Sequence, residues 1–233
     1  MRLLFFIIML LPIISFAQEE KVISHKKEDI KKAKQEAKLK AKEQISQLHN
    51  GILLVRLSTR KKSIAAMRKA NKNELANKTE NKLRKKNIEI ISAFKSNFDF
   101  CPVYFFYSDY SKYVRKNQLD SVVFLNDSLQ PDSNIKVANK KFLTAQFGTT
   151  EPDTKTYSSY THFDKGEKTT TYYGGSALTL NALVMKNNQL EQLRKPFPYY
   201  VREYPNPVTH RSVYKMVLIM NYKLNHYYRK TNK

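Results

Sequence analysis

The run Ile52-Leu53-Leu54-Val55-Arg56-Leu57 constrains this chain more than any other stretch. Asn50-Gly51 precedes it and Ser58-Thr59 follows it, so it is a short segment with clear ends. A strand sends successive side chains to opposite faces. A nearly unbroken apolar run therefore needs cover on both faces, as strands of parallel sheets do. Ser58 or Thr59 is expected to cap a helical region over residues 60–96. Its apolar marks are Ile64, Met67, Leu75, Leu83, Ile90, Ile91 and Phe94. Residues 71–81 are polar and Asn-rich, so this region is one bent helix or two. Val103-Tyr104-Phe105-Phe106-Tyr107 has the aromatic and β-branched content of a second strand, and Pro102 fits at its start. Ser108 or Asp109 opens a short helix to about Gln118, and residues 121–125 supply a third strand. Residues 52–125 thus predict β-α-β-α-β, a parallel sheet with crossover helices.

The second half reads differently. Short strands are expected at 135–137 and 142–147. Residues 148–167 form a long polar loop or an excursion hairpin, and 169–173 an edge strand. Ala177 to Met185 is the clearest strand of this half, ahead of the turn at Lys186-Asn187-Asn188-Gln189. A helix over 209–230, started by Thr209 or Ser212, carries Val213, Met216, Val217, Met220, Leu224 and Tyr227 in one stripe. Leu218, Ile219 and Tyr222 are expected to widen that face against the sheet. The fold class is α/β, in two or three layers. It has a mixed, partly parallel sheet, antiparallel strands in the later part and a C-terminal packing helix.

Residues 1–17 read as a cleavable export signal. Arg2 is followed by an apolar stretch, and Ser15 and Ala17 sit at −3 and −1 of a cut after Ala17. Residues 18–50 are expected to form a basic helical arm, with Ile30, Ala33, Ala37, Ala41, Ile45 and Leu48 as a narrow stripe over 26–48. Gly51 is read as the C′ residue that ends this helix. Residues 51–233 form a single α/β domain, with no transmembrane helix in the mature chain. The formal net charge is +22. Such a field attracts anionic partners. Export makes nucleic acid a poor candidate and favours anionic lipid, lipopolysaccharide, acidic glycan or an acidic envelope protein. The chain has one cysteine, Cys101, so it has no internal disulfide; the residue reads as a small buried hydrophobe.

The pattern is poor in catalytic motifs. No phosphate-binding loop, dinucleotide fingerprint, nucleophile elbow, metalloprotease helix or paired-cysteine motif is present. Five glycines leave little room for a glycine-lined phosphate cradle. The β-α-β opening resembles a thioredoxin-type domain, but without paired cysteines that resemblance implies no thiol exchange. His25, His49, His162, His210 and His226 lack metal-ligand spacing, so neither a metal nor a cofactor is expected. His162 and Asp164, two apart, are the best local acid–base pair. Tyr157 and Tyr160 lie beside them as groove-lining candidates. Asp109 and Tyr110 follow a strand end, where open α/β sheets bind ligands. Arg194, Lys195, Tyr199 and Arg202 mix cations with aromatics and suit an acidic or carbohydrate ligand; the same run also suits a stiff final strand. The charge excess and the missing catalytic motifs support a non-enzymatic exported binding or structural domain that contacts an anionic envelope component or an acidic protein. The alternative is an envelope hydrolase or transferase built on Asp109, His162 and Asp164. A third reading is a subunit of a complex, docked through helix 26–48.

Overall fold

The structure, a computed structural model, describes residues 28–137, 140–152, 158–164, 167–173, 178–204 and 210–232. Residues 1–17, read from sequence as an export signal, lie outside the described residues, as do His25, Tyr157 and Thr209. The chain divides into two compact units, residues 1–40 and 41–233. In the first, residues 28–40 are helical and mostly exposed. Within the second unit, residues 41–49 are helical, and Ala41, Ile45 and Leu48 are buried in the core. The helix over 28–49 is α1.

The apolar run Ile52–Leu57 forms β1. Next come α2 (Lys61–Lys69), α3 (Asn73–Asn97) and β2 (Val103–Tyr107). A 3-10 turn (Ser108–Tyr110), α4 (Ser111–Arg115) and β3 (Phe124–Leu125) follow. The second half holds β4 (Phe142–Thr149), β5 (Ser158–Asp164), β6 (Glu167–Tyr173), β7 (Asn181–Lys186), β8 (Tyr200–Arg202) and α5 (Val213–Thr231). Six strands form one sheet in the order β3-β2-β1-β4-β7-β8, and β5-β6 form a second, two-stranded sheet. β1 runs parallel to both β2 and β4. The other pairs, β2–β3, β4–β7, β7–β8 and β5–β6, are antiparallel. The fold is therefore mixed α/β with a C-terminal helix, as the pattern predicted.

Burial on two faces explains β1. Ile52, Leu53, Leu54, Val55 and Leu57 are each fully buried. Leu53, Val55 and Leu57 face a core that includes Ile90, Ile91 and Phe94 of α3 and Met216, Val217 and Met220 of α5. Ile52 and Leu54 face a smaller core with Phe106, Val114, Phe124 and Phe142. Each such side chain contributes roughly 2 kcal/mol relative to exposure.

The structure departs from the sequence pattern at several positions. The third strand shrinks to Phe124–Leu125 and pairs antiparallel with β2. The second parallel neighbour of β1 is β4. Residues 135–137 form no strand; Ile135 and Val137 pack on the smaller core. The helical region breaks at Ala70–Lys72, where Asn71 takes φ 57°. Asparagine tolerates that left-handed geometry better than most side chains. Neither Ser58 nor Thr59 caps α2, which starts at Arg60 with φ 47° and no side-chain cap. Ser212 does cap α5, accepting from Lys215 N at 3.3 Å. Leu75 is 48% exposed, and Ala76 takes the buried position instead. Leu218 and Tyr222 are 52% and 68% exposed, so they do not widen the core face of α5.

Gly51 does not take the left-handed conformation of a cap glycine; close approach of the backbone is what requires glycine here. A Cβ at this position would lie 2.3 Å from the Lys141 carbonyl oxygen and 2.6 Å from that of Gln47. Both are backbone atoms and cannot swing away. Ile52 N also donates to Lys141 O at 3.1 Å, which fixes that approach. Gly51→Ala is expected to destabilise the protein by about 2 kcal/mol or more, read as a lowered urea midpoint at constant slope.

Candidate functional site

The carboxyl ends of β1, β2 and β4 point to one edge of the sheet, because these strands run parallel. β2 and β4 lie on opposite sides of β1, so the chain's winding reverses there. Open α/β sheets bind ligands at such an edge. Arg56 is the one charged residue of β1, and it stands near this end. It shares the face of Ile52 and Leu54. Its Nε donates to Ser111 Oγ at 2.8 Å, and its terminal nitrogen donates to Gln146 Oε1 at 2.9 Å. Both acceptors are neutral. Burial lowers the Arg56 pKa, the nearby Arg115 lowers it further, and Asp109 opposes them. Ser111 Oγ in turn donates to Ser108 O at 2.5 Å. Arg56 thus ties β1, β4 and the start of α4 together and fixes the turn that carries Asp109.

Asp109 sits in that 3-10 turn. Its carboxylate accepts from Thr59 Oγ1 at 3.0 Å and meets Lys61 Nζ at 2.8 Å. The hydrogen bond to Asp109 raises the Lys61 pKa. Lys61 is largely exposed, so the pair adds little stability. Its effect is to tie the loop after β1 to the turn after β2. Tyr110 is half-buried, with its ring 6.4 Å from that of Tyr113.

Beside this edge lies an open groove of about 830 Å³. Ser58 and Thr59 follow β1, and Tyr107 ends β2; these residues form the groove's sheet side. Lys61, Ile64 and Arg68 line it from α2, and Glu80, Leu83, Arg84 and Asn87 from α3. Buried Asn87 donates to Ser58 O at 3.0 Å and so fixes α3 to the end of β1. Tyr107 OH donates to Leu129 O at 3.3 Å, and burial raises its pKa. Arg68 pairs with Glu80 at 2.6 Å. Among the described residues, Arg84 has no ion-pair partner within 4.0 Å. The groove therefore combines apolar walls with a surplus cation. Its volume suits a small-molecule ligand.

The other candidates are dispersed. His162 and Asp164 lie on β5, paired in register with Thr169 and Glu167 of β6, and Tyr160 pairs with Thr171. They belong to the separate two-stranded sheet, whereas Asp109 follows a strand of the main sheet. Tyr199 is a core residue, 8% exposed, with its ring 4.8 Å from that of Tyr200. Arg194 is half-buried and Lys195 exposed, and the Lys195–Pro196 bond is cis. Exposed Arg202 lies over the Tyr204 ring at 5.1 Å, and Arg211 lies over the same ring at 4.3 Å. Cys101 is buried, and burial pushes its thiol up to about 12. Among the described residues, no cluster of three metal-ligating side chains occurs.

The sequence reading found Asp109 and Tyr110 by position but passed over Arg56, Arg84, Asn87, Ser111 and Gln146. Arg56 carried its own signal, a lone charge inside an otherwise apolar strand. Arg84 and Asn87 had none, because the helix that presents them is rich in polar residues throughout.

Two outcomes test this geometry. Arg56→Met is expected to keep or raise the urea midpoint, since a partly buried charge without a carboxylate gives way to an apolar side chain of similar length. Ser111 Oγ keeps its bond to Ser108 O in that variant. Cys101 is expected to resist iodoacetamide at mildly alkaline pH in the folded protein and to react at once in denaturant, followed by mass spectrometry. No family model, curated protein or solved structure matches this chain.

Proposed function

We propose that this chain is an exported, non-enzymatic binding domain that holds an anionic saccharide of the cell envelope in the groove between α2, α3 and the carboxyl ends of β1 and β2. A phosphorylated sugar of the lipopolysaccharide type or an acidic glycan fits this chemistry. The supporting observation is the groove itself. It lies at a sheet edge suited to ligands, and its cations exceed its carboxylates. Tyr107 offers a ring face for a sugar and a hydroxyl already oriented by Leu129 O. Lys61 and Arg68 are each matched to a carboxylate, which leaves Arg84 to meet the ligand's charge. The net charge of +22 adds long-range attraction.

Calorimetric titration with a phosphorylated glucosamine disaccharide and with oligogalacturonate, across a salt series, tests the reading. Binding of one of them is expected to weaken as salt rises. Arg84→Ala is expected to weaken it by about tenfold, the loss of one charge-assisted hydrogen bond. Affinity indifferent to both salt and Arg84→Ala would sink the proposal.

A further inference from the structure

We infer that the outer face of α5 is a docking ridge for an anionic lipid bilayer. The core side of α5 is already filled by Val213, Met216, Val217, Met220 and Leu224. Residues turn 100° each about a helix axis, so Leu218 and Tyr222 stand on the side away from that core. Tyr214, Leu218 and Tyr222 are 40%, 52% and 68% exposed. They follow one another at four-residue intervals and so form one row about 12 Å long. His226 extends the row, its ring stacked near that of Tyr222 at 6.0 Å and 19°. Single exposed apolar residues are ordinary, but an aligned row facing away from the core marks a contact surface.

The charges that α5 itself carries have one sign. α5 contains Lys215, Lys223, Arg229 and Lys230 and no acidic residue. Lys215 stands three residues before Leu218 and Arg229 three after His226, so these two cations border the row, whereas Arg211, ahead of the helix, lies over the Tyr204 ring. One carboxylate from outside the helix, Asp99, accepts from Asn221 Nδ2 at 2.8 Å and from Asn225 Nδ2 at 3.5 Å, on the flank of the row away from Lys215.

These features select the occupant. A second copy would set these cations against their own kind in a chain of net charge +22. A protein interface needs roughly 800 Å² per side, whereas this row offers on the order of 300 Å². A bilayer needs no preformed groove. Tyrosine rings settle at headgroup level, Leu218 reaches the acyl boundary, and the bordering cations meet anionic headgroups.

The chain has no tryptophan, so Tyr222→Trp gives a single local reporter. The full chain with this change is mixed with vesicles of phosphatidylcholine and phosphatidylglycerol at about 2:1, and with phosphatidylcholine alone. A blue shift of the emission is expected on the anionic vesicles only. Adding Leu218→Asp is expected to abolish the shift, and Lys215→Ala or Arg229→Ala to weaken it about fivefold each. Circular dichroism checks the fold; if Leu218→Asp lowers the melting midpoint, Leu218→Gln replaces it. The local readout matters, because attachment through any other segment leaves the emission unchanged. An unshifted emission, with or without vesicle binding, overturns the inference. So does a shift that persists with Leu218→Asp or is equal on neutral vesicles. A dimer that Leu218→Asp dissolves, without any shift on vesicles, would assign the row to a second copy instead.

Discussion

Everything in the main domain leans on the double-sided burial of β1. Its backbone is paired on one side with β2 and on the other with β4, both parallel. Its side chains enter two separate cores. A parallel neighbour cannot be reached by a tight turn, so the chain must leave the sheet and return. The long route through α2 and α3 meets this demand between β1 and β2, and α3 covers the larger core on the way. The smaller core is closed by short α4 and the loop through Val137. α5 packs alongside α3 on the larger core and completes the cover.

That arrangement also explains where the polar groups collect. Interior positions of β1 are fully buried by the cores on both sides, so polar side chains are tolerated only where the strand nears its end. Arg56 occupies that end, and its guanidinium finds neutral oxygens from α4 and β4. The loops after β1 and β2 then lie side by side and are joined through Asp109, Thr59 and Lys61. The groove beside them is walled by α2 and α3, and Asn87 holds α3 to the end of β1. The site is thus a consequence of parallel strand direction.

The sequence reading succeeded where a pattern was both local and strong. The apolar runs at β1, β2 and β7 and the stripe of α5 each located an element to within a few residues. It failed where partners decide. The stretch 121–125 looks as strand-like as β2, yet only Phe124–Leu125 pairs; the 3-10 turn at Leu119–Ser121 takes Ser121 and draws Val122 N back to Leu119 O at 3.0 Å. Gly51 was placed correctly and explained wrongly, since the Lys141 carbonyl that crowds it is ninety residues away in the chain. Leu218 and Tyr222 were assigned to the core because apolar residues suggest burial, whereas their helical angle turns them outward. Asp109 and Tyr110 were found by a rule about strand ends, which needs only strand direction. Arg84 and Asn87 were beyond reach, because a groove wall is defined by what stands opposite it.

By itself, then, the sequence determined that this chain has a central two-faced strand, a partly parallel sheet and a C-terminal packing helix, together with a large positive charge. Hydrophobic periodicity and composition encode those properties along the chain, without reference to distant residues. Tertiary structure alone decided that β4 is the second parallel neighbour, that Arg56 rests on Ser111 and Gln146, and that one row of α5 faces outward. Those outcomes depend on contacts across 55 and 90 residues of chain. Such contacts are selected by the joint packing of all elements, and no single segment carries that information.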